Sequence, residues 1–436
     1  MPISPFEERY GTGMNAVFED EAKLRKWMAV EVALAKAHAA IGNIPRDAPG
    51  RIEAAAKKVS PARVAEIEAE IHHDLMAMVK ALAEQAGDAG KYVHLGATSY
   101  DIEDTATALI FMEAIDLLDK DLAALSAHLK KLALEHKNTV CIGRTHGQHA
   151  VPTTYGMKFA LYYQELKRNR ARLARAKEGM SVGKMSGAVG TMATFGKDGP
   201  KIQRLVMAEL GLSGDPVTNQ VVQRDRHAEA LCALALTAAG IEKIAKEIRN
   251  LQRTEILEVS EGFGAKQVGS STMPHKRNPH KSERVCSIAR LVRANLLTAI
   301  ENIALEHERD LTNSANERAV FGESFIAVDY MALEMAKILS SLAFYPENIR
   351  RNLELTRGLV MAERVMIHLV DTGKMGRQEA HELVRGLSQE AFAKGLHLKD
   401  VLVGKSVLSQ KEAENLFDYS TYIGMAVKIV EESTRE

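Results

Sequence analysis

Apolar residues recur along this 436-residue chain with the period of a helix. Leu118, Leu122, Leu125, Leu129 and Leu132 alternate spacings of four and three, which places them on one stripe of a helix. Leu234, Ala238, Ile241, Ala245 and Ile248 repeat the pattern inside a proline-free stretch from Val217 to Glu261. Val285, Ile288, Val292, Leu296, Ala299 and Ile303 form a third stripe. Narrow stripes of this kind suit long helices lying side by side in a bundle. No run alternates β-branched residues convincingly, so the pattern predicts an all-α fold. A helix of about 35 residues is about 50 Å long. One chain cannot readily cover several stripes of that length, which implies association into a larger bundle.

The punctuation of the pattern predicts three parts. A first helical region spans 1–104 and closes in the polar stretch His94-Leu95-Gly96-Ala97-Thr98-Ser99. A central long-helix region spans 105–350, with loops at Ile142–Thr154, Ser181–Pro200 and Glu261–Ser282. Shorter helices fill 351–436. Ser282 is a good N-cap for the helix after the third loop, with Glu283 in its first turn.

Composition narrows the function. Lys+Arg and Asp+Glu number 57 each, so the chain lacks the basic excess of proteins that bind nucleic acid through bulk charge. Cys141, Cys232 and Cys286 lie far apart in sequence, which argues against a disulfide framework and for a reducing compartment. Residues 1–10 carry three charges and no apolar run, unlike a signal peptide. The longest nearly apolar run, Leu231–Ile241, is about half of what spans a bilayer. The expectation is a cytoplasmic protein without a membrane partner.

Two segments carry candidate chemistry. In Gly143-Arg144-Thr145-His146-Gly147-Gln148-His149 two glycines flank a histidine, so the backbone can turn tightly and present an imidazole suited to proton transfer near neutrality. A single histidine of this kind is more often just part of a hydrogen-bonded turn. A metal held by His146 and His149 is a weaker reading, because Gly147 and Pro152 break the helix that would align them and no third ligand stands nearby. The second segment is Gly269-Ser270-Ser271-Thr272-Met273-Pro274-His275-Lys276-Arg277-Asn278-Pro279. Its hydroxyls, cation and amide suit a loop that holds an anion, and small residues there can aim backbone N–H groups at one. By composition alone a solvated turn is an equal reading. Gly183, Gly187 and Gly190 do not form G-x-G-x-x-G and follow no strand pattern, so a dinucleotide loop is set aside.

The Ser-Ser-x-Met-Pro-x-Lys-x-Asn-Pro loop resembles the signature of the fumarase/aspartase superfamily, and Met-Pro-His-Lys-Arg-Asn-Pro is similar to its adenylosuccinate lyase branch. Arg9-Tyr10, His73-Asp74, Thr98-Ser99-Tyr100-Asp101, Gly143-Arg144-Thr145-His146-Gly147, Gln220 and His307-Glu308-Arg309-Asp310 fall in the expected order across nearly the whole chain. Bacterial cycloisomerases acting on carboxymuconate carry almost the same loop but lack the histidine of Thr-His-Gly. His72 stands where family members often have Asn.

The resemblance implies three helical domains, a central long-helix bundle that forms the multi-helix core of a homotetramer, and active sites shared between subunits. It implies release of fumarate from adenylosuccinate and from SAICAR, with no metal or organic cofactor. Ser270 would be the base, His146 the acid and Glu283 the carboxylate that keeps His146 charged, while Lys276 and Asn278 would stabilise the dianionic intermediate. Thr98, Ser99, Thr145 and Ser271 would hold the succinyl carboxylates, and Gln220 would contact the base or its imidazole equivalent. Arg9, Tyr10, Ser314 and Arg318 would hold the 5′-phosphate end, with His73 and Arg309 nearby. Asp74 and His94 complete the expected substrate contacts.

Overall fold

A computed structural model describes residues 4–264 and 269–435, so residues 265–268 of the third expected loop lie outside the described residues. Helices dominate, as the periodicity predicts. The longest are Asp20–Ala40, Ser99–Glu135, Tyr155–Met180, Asp225–Leu251, His280–Glu301 and Ser314–Ser340. Leu118, Leu122, Leu125 and Leu129 are fully buried, and so are Leu234, Ala238 and Ala245. The third stripe ends early. The His280–Glu301 helix stops before Ile303, which is exposed together with Leu291, Leu297 and Ile300.

The chain forms two compact units. Unit one takes in the described residues of 1–123, 168–241 and 287–333; unit two takes in those of 124–167, 242–286 and 334–436. The core of unit one gathers Trp27, Met28, Leu34, Ile52, Leu75, Met78, Leu82, Ile102 and Met207. Within it the Pro61–Ile71 and Asp74–Ala86 helices meet at a sharp corner. His72 ends the first in the left-handed region at φ 53°, and His73 caps the second, its Nδ1 accepting the Met76 N–H. Gly183 and Gly190 prove to be close-packed. A side chain on Gly183 would strike Met207 and Thr105, and one on Gly190 would strike the Thr218 carbonyl.

In unit two the helices Ala362–Asp371, Arg377–Lys394, Leu398–Gly404 and Gln410–Leu416 enclose a small core of Val365, Leu369, Val384, Leu398 and Leu402. Two expectations are corrected here. The expected loop at 142–154 is an antiparallel hairpin, Val140–Thr145 paired with Gln148–Thr154. Its two-residue turn is His146-Gly147, both at positive φ (53° and 73°) as a type I′ turn requires. The bulge at Gly143 brings the Val151 carbonyl within 2.8 Å of where a Cβ would sit. The hairpin base packs through Ile142 on Leu353, Val360 and Met361. Its stem is tied by Glu258, which is fully buried and accepts from Arg144, from the Tyr155 hydroxyl and from Asn352 Nδ2 at 2.8 Å. A second correction concerns the third loop, after which the helix starts at His280, two residues before the expected cap. Ser282 lies inside its first turn and donates its N–H to Glu261 at 2.6 Å.

Two measurements test this packing. Removing Glu258 leaves the Arg144 guanidinium without its anion, so Glu258→Ala is expected to cost about 3–5 kcal/mol, seen as a lower urea midpoint; an unchanged midpoint would show that the tie is dispensable. The second concerns Asp329 in unit one, which is fully buried and accepts the Thr12 hydroxyl at 2.5 Å. Burial, with the Asp121 carboxyl beside it, pushes Asp329 up from an ordinary value of 3.8 to about 7. A carboxyl raised on folding favours the fold fully below its unfolded value, and that contribution is lost as pH rises through 7. Asp329→Asn, which keeps the neutral acid's shape, is therefore expected to raise Tm at pH 8 and leave it nearly unchanged at pH 4. An equal shift at both values would refute the raised Asp329 carboxyl.

Candidate active site

In unit one, residues far apart in sequence line one cavity of about 470 Å³. His73 and Asp74 come from the helix corner, Thr98 and Ser99 from the start of the Ser99–Glu135 helix, and Gln220 and Arg309 from irregular segments. Ser314 and Arg318 come from the first turns of the Ser314–Ser340 helix. Eight of the expected site residues thus share one wall system. His72, Tyr100 and Glu103 line it as well.

Each polar group there is held by a specific partner. Asp101, fully buried, accepts the Thr98 N–H at 2.8 Å and the N–H groups of Ser186 and Gly187, and it pairs with the buried Lys184. That fixes the turn carrying Thr98 and Ser99. Arg309 lies over Tyr100, its guanidinium carbon 3.8 Å from the ring centre. Its Nε donates to Asn313 at 3.2 Å and one Nη to Gln220 at 3.1 Å, while the other Nη is buried without a partner among the described residues. The backbone reaches this arrangement through positive φ at His307 (51°) and Arg309 (150°), a strain that tertiary contacts must hold. Asn313 donates to Glu317, and Glu317 with Asp104 brackets the buried Arg224.

Charge in the cavity is mixed. Arg318 donates to Asp74 at 2.5 Å. Burial alone pushes Asp74 up, but Arg318 outweighs it and holds the carboxyl below its usual value. Among the described residues Glu103 has no such partner. Burial, with Asp74 and Asp104 near it, pushes Glu103 up to about 8. Burial also pushes Tyr100 up to about 12.

Unit two has a cavity of about 910 Å³. Lys276, Asn278 and Glu283 line it beside Lys246, Arg249, Arg253, His275 and Arg277, so its walls are rich in cations. The 269–279 loop folds on itself. Asn278 Nδ2 donates to the Gly269 carbonyl at 3.0 Å, and the Lys276 carbonyl comes so near Gly269 that a Cβ would stand 2.0 Å from it. Ser270 Oγ accepts the N–H groups of Thr272 and Met273, at 3.4 and 3.1 Å. Ser271 is exposed on the same loop.

The remaining expected residues line neither cavity. Thr145 and His146 are exposed at the hairpin tip. His94 is tied to the buried Glu31, which accepts its backbone N–H at 2.9 Å and faces its Nδ1 at 2.6 Å. Burial disfavours the charged ring, yet Glu31 more than offsets this and raises the His94 pKa. Tyr10 packs edge-on against Tyr330, with Arg9 over its ring. Sequence reasoning missed Glu103, Asn313, Glu317 and Arg224 as parts of the site. Their only signal is that they are ionisable or amide residues one to four positions from residues already singled out.

A family profile described as "Lyase" matches residues 12–294, and one described as "Adenylosuccinate lyase C-terminus" matches 358–433. The chain is 54% identical over 438 residues to a protein named adenylosuccinate lyase from Pyrococcus abyssi, covering 99% of this chain and 97% of that one. It is 42% identical to one of the same name from Bacillus subtilis, covering 95% and 96%. Among solved structures it resembles a fumarate lyase from Mesorhizobium sp. BNC1 (TM-score 0.89, 31% identity, 97% of each chain). It also resembles a 3-carboxy-cis,cis-muconate lactonizing enzyme from Pseudomonas putida (TM-score 0.89, 33% identity, 99% of this chain and 98% of that one). The likeness in sequence runs from end to end and the C-terminal profile is specific to one branch; the chain belongs to the adenylosuccinate lyase family.

Proposed function

We propose that this protein cleaves adenylosuccinate to AMP and fumarate, and SAICAR to AICAR and fumarate. The observation that carries the reading is the 54% identity to a protein named adenylosuccinate lyase over 99% of the chain. The cation-rich cavity of unit two and the paired arginines of unit one support it, since both substrates are polyanions.

In the proposed reaction Ser270 Oγ removes a proton from carbon next to a succinyl carboxylate. The electron pair first makes a dianionic aci-carboxylate, then expels the amine nitrogen as the C–N bond breaks. His146 gives that nitrogen a proton, so that no amine anion has to leave. The two N–H groups on Ser270 Oγ would favour its alkoxide. Lys276 and Asn278 would stabilise the dianion, and one well-aimed donor at such a charge is worth roughly 3 kcal/mol. Glu283 would keep the imidazole charged. Thr98, Ser99, Thr145 and Ser271 would hold the succinyl carboxylates. Arg9, Tyr10, Ser314 and Arg318 would hold the phosphate, with Arg309 and His73 nearby.

We also propose the homotetramer that the resemblance implies, with active sites shared between subunits and the three-domain layout of 1–104, 105–350 and 351–436. The exposed Leu291, Leu297 and Ile300 of the His280–Glu301 helix, and Leu236 of the Asp225–Leu251 helix, support it as apolar surface for other subunits. Among the described residues no helix is long and apolar enough to cross a membrane. A cytoplasmic enzyme without a nucleic-acid partner is the proposal that accompanies the chemistry.

A fumarate-release assay tests the reading. Adenylosuccinate and SAICAR should yield fumarate while argininosuccinate and malate should not; release from either of the last two would reassign the branch. His146→Gln is expected to lower kcat by about 10²–10⁴ with substrate binding retained, and near-normal turnover would remove it as the acid. Ser270→Ala should bind product and turn over almost nothing; an active variant would move the base elsewhere.

A further inference from the structure

Two side chains that have no part in the proposed chemistry tie the polar loop of unit two to the body of the unit. Gln252 follows directly on the Asp225–Leu251 helix, and its N–H donates to the Ile248 carbonyl. Its Oε1 accepts the Glu261 N–H at 2.9 Å, and its Nε2 donates to the Arg277 carbonyl at 2.9 Å. A backbone N–H only donates and a carbonyl only accepts, so one orientation of the amide satisfies both. Arg277 stands between Lys276 and Asn278 in the chain, and all three line the cavity of about 910 Å³ together with Gln252.

Glu261 makes the second tie. It is buried, and its Oε1 accepts the Ser282 N–H at 2.6 Å, one residue before Glu283 in the first turn of the His280–Glu301 helix. Its own backbone is fixed on both sides. Val259–Ser260 pairs with Ala343–Phe344, and Gly262 lies so close to Ser341 that a Cβ would stand 2.7 Å from it. The other carboxylate oxygen and the Ser282 hydroxyl are buried without a partner among the described residues. Burying a carboxylate to hold one N–H group is costly, and stability alone gives no reason for it. Such exceptions concentrate where a functional group has to be placed.

We propose that Gln252 and Glu261 are positioning residues for fumarate release. Gln252 places Lys276 and Asn278 through the Arg277 carbonyl, and Glu261 places Glu283 through the Ser282 N–H. The proposal rests on the reaction roles given above to Lys276, Asn278 and Glu283. The two residues act as one unit, because Gln252 also holds the Glu261 N–H. Their loss falls on the transition state more than on binding. A group aimed at developing charge and displaced by about 1 Å loses on the order of 10²-fold in rate.

Kinetics of the full protein with adenylosuccinate test this. Gln252→Glu keeps the acceptor for Glu261 and loses the donor to Arg277, while Gln252→Met lacks both. Each is expected to lower kcat about 10–100-fold with KM within about threefold of the parent's. Glu261→Ala should fall equally, and Glu261→Gln, which keeps an oxygen for the Ser282 N–H, should recover kcat to within about threefold. A double-mutant comparison separates placement from general damage. Gln252→Met should cost clearly less when added to Lys276→Ala or to Asn278→Ala than it costs the parent. Undiminished losses in both backgrounds, a Gln252→Met variant with the parent's kcat, or a Glu261→Gln variant as slow as Glu261→Ala would each overturn the proposal. Should Glu261→Ala fail to fold, the half-buried Gln252 carries the comparison. Fumarate release by the parent protein distinguishes the two readings: if it occurs while Gln252→Met is unimpaired, only the positioning falls, and if it does not occur, the reaction assignment falls first.

Discussion

Arg224 is almost fully buried, with Asp104 on one edge of its guanidinium and Glu317 on the other. A buried cation whose anions are removed costs about 3–5 kcal/mol, so such a pair tolerates little change in geometry. The constraint reaches outward. Glu317 accepts from Asn313, Asn313 accepts from Arg309, and Arg309 donates to Gln220. The position of the guanidinium that faces the unit-one cavity is therefore set by charges that never touch it. Unlike a surface salt bridge, the inner links of this chain, from Asp104 to Asn313, are shielded from solvent screening.

Unit two applies the same principle to a different element. A two-stranded hairpin has little stability of its own, yet it must hold the tip that presents Thr145 and His146. Glu258 supplies the rigidity by accepting from Arg144, Tyr155 and Asn352 at once. The 269–279 loop is built in the opposite way. Its internal bonds are few and local, and most of it is exposed. The stiffly tied hairpin stem thus contrasts with the loose, local bonding of the polar loop.

Much of this was legible beforehand, for reasons that differ by element. The leucine stripe from Leu118 to Leu132 read correctly because a helix face is a property of local spacing. Gly269 to Pro279 read as a loop because its prolines and small polar residues have no helical alternative. The hairpin was missed. Its turn is His-Gly in place of Asn-Gly, and Pro152 with the Gly143 bulge interrupts the alternation that marks strands. The start at His280 was misplaced because Ser282 has the right side chain for a cap, while the first helical bond is already made from the Glu283 N–H to the Pro279 carbonyl and Glu261 takes the Ser282 N–H.

By itself, then, the sequence determined what short-range physics fixes: where helices run, where they break, which loop carries hydroxyls and a cation, and to which family the order of motifs belongs. Only the tertiary structure decided the protonation and pairing of individual groups. Glu103 and Glu113 are both glutamates of the Ser99–Glu135 helix, yet one is held neutral to about pH 8 and the other pairs with Lys26 on an open face. Asp104, next to Glu103 in the chain, accounts for only a small part of this. The difference lies in which distant side chains displace water around each carboxyl, and desolvation is a property of the packed neighbourhood, not of the local chain.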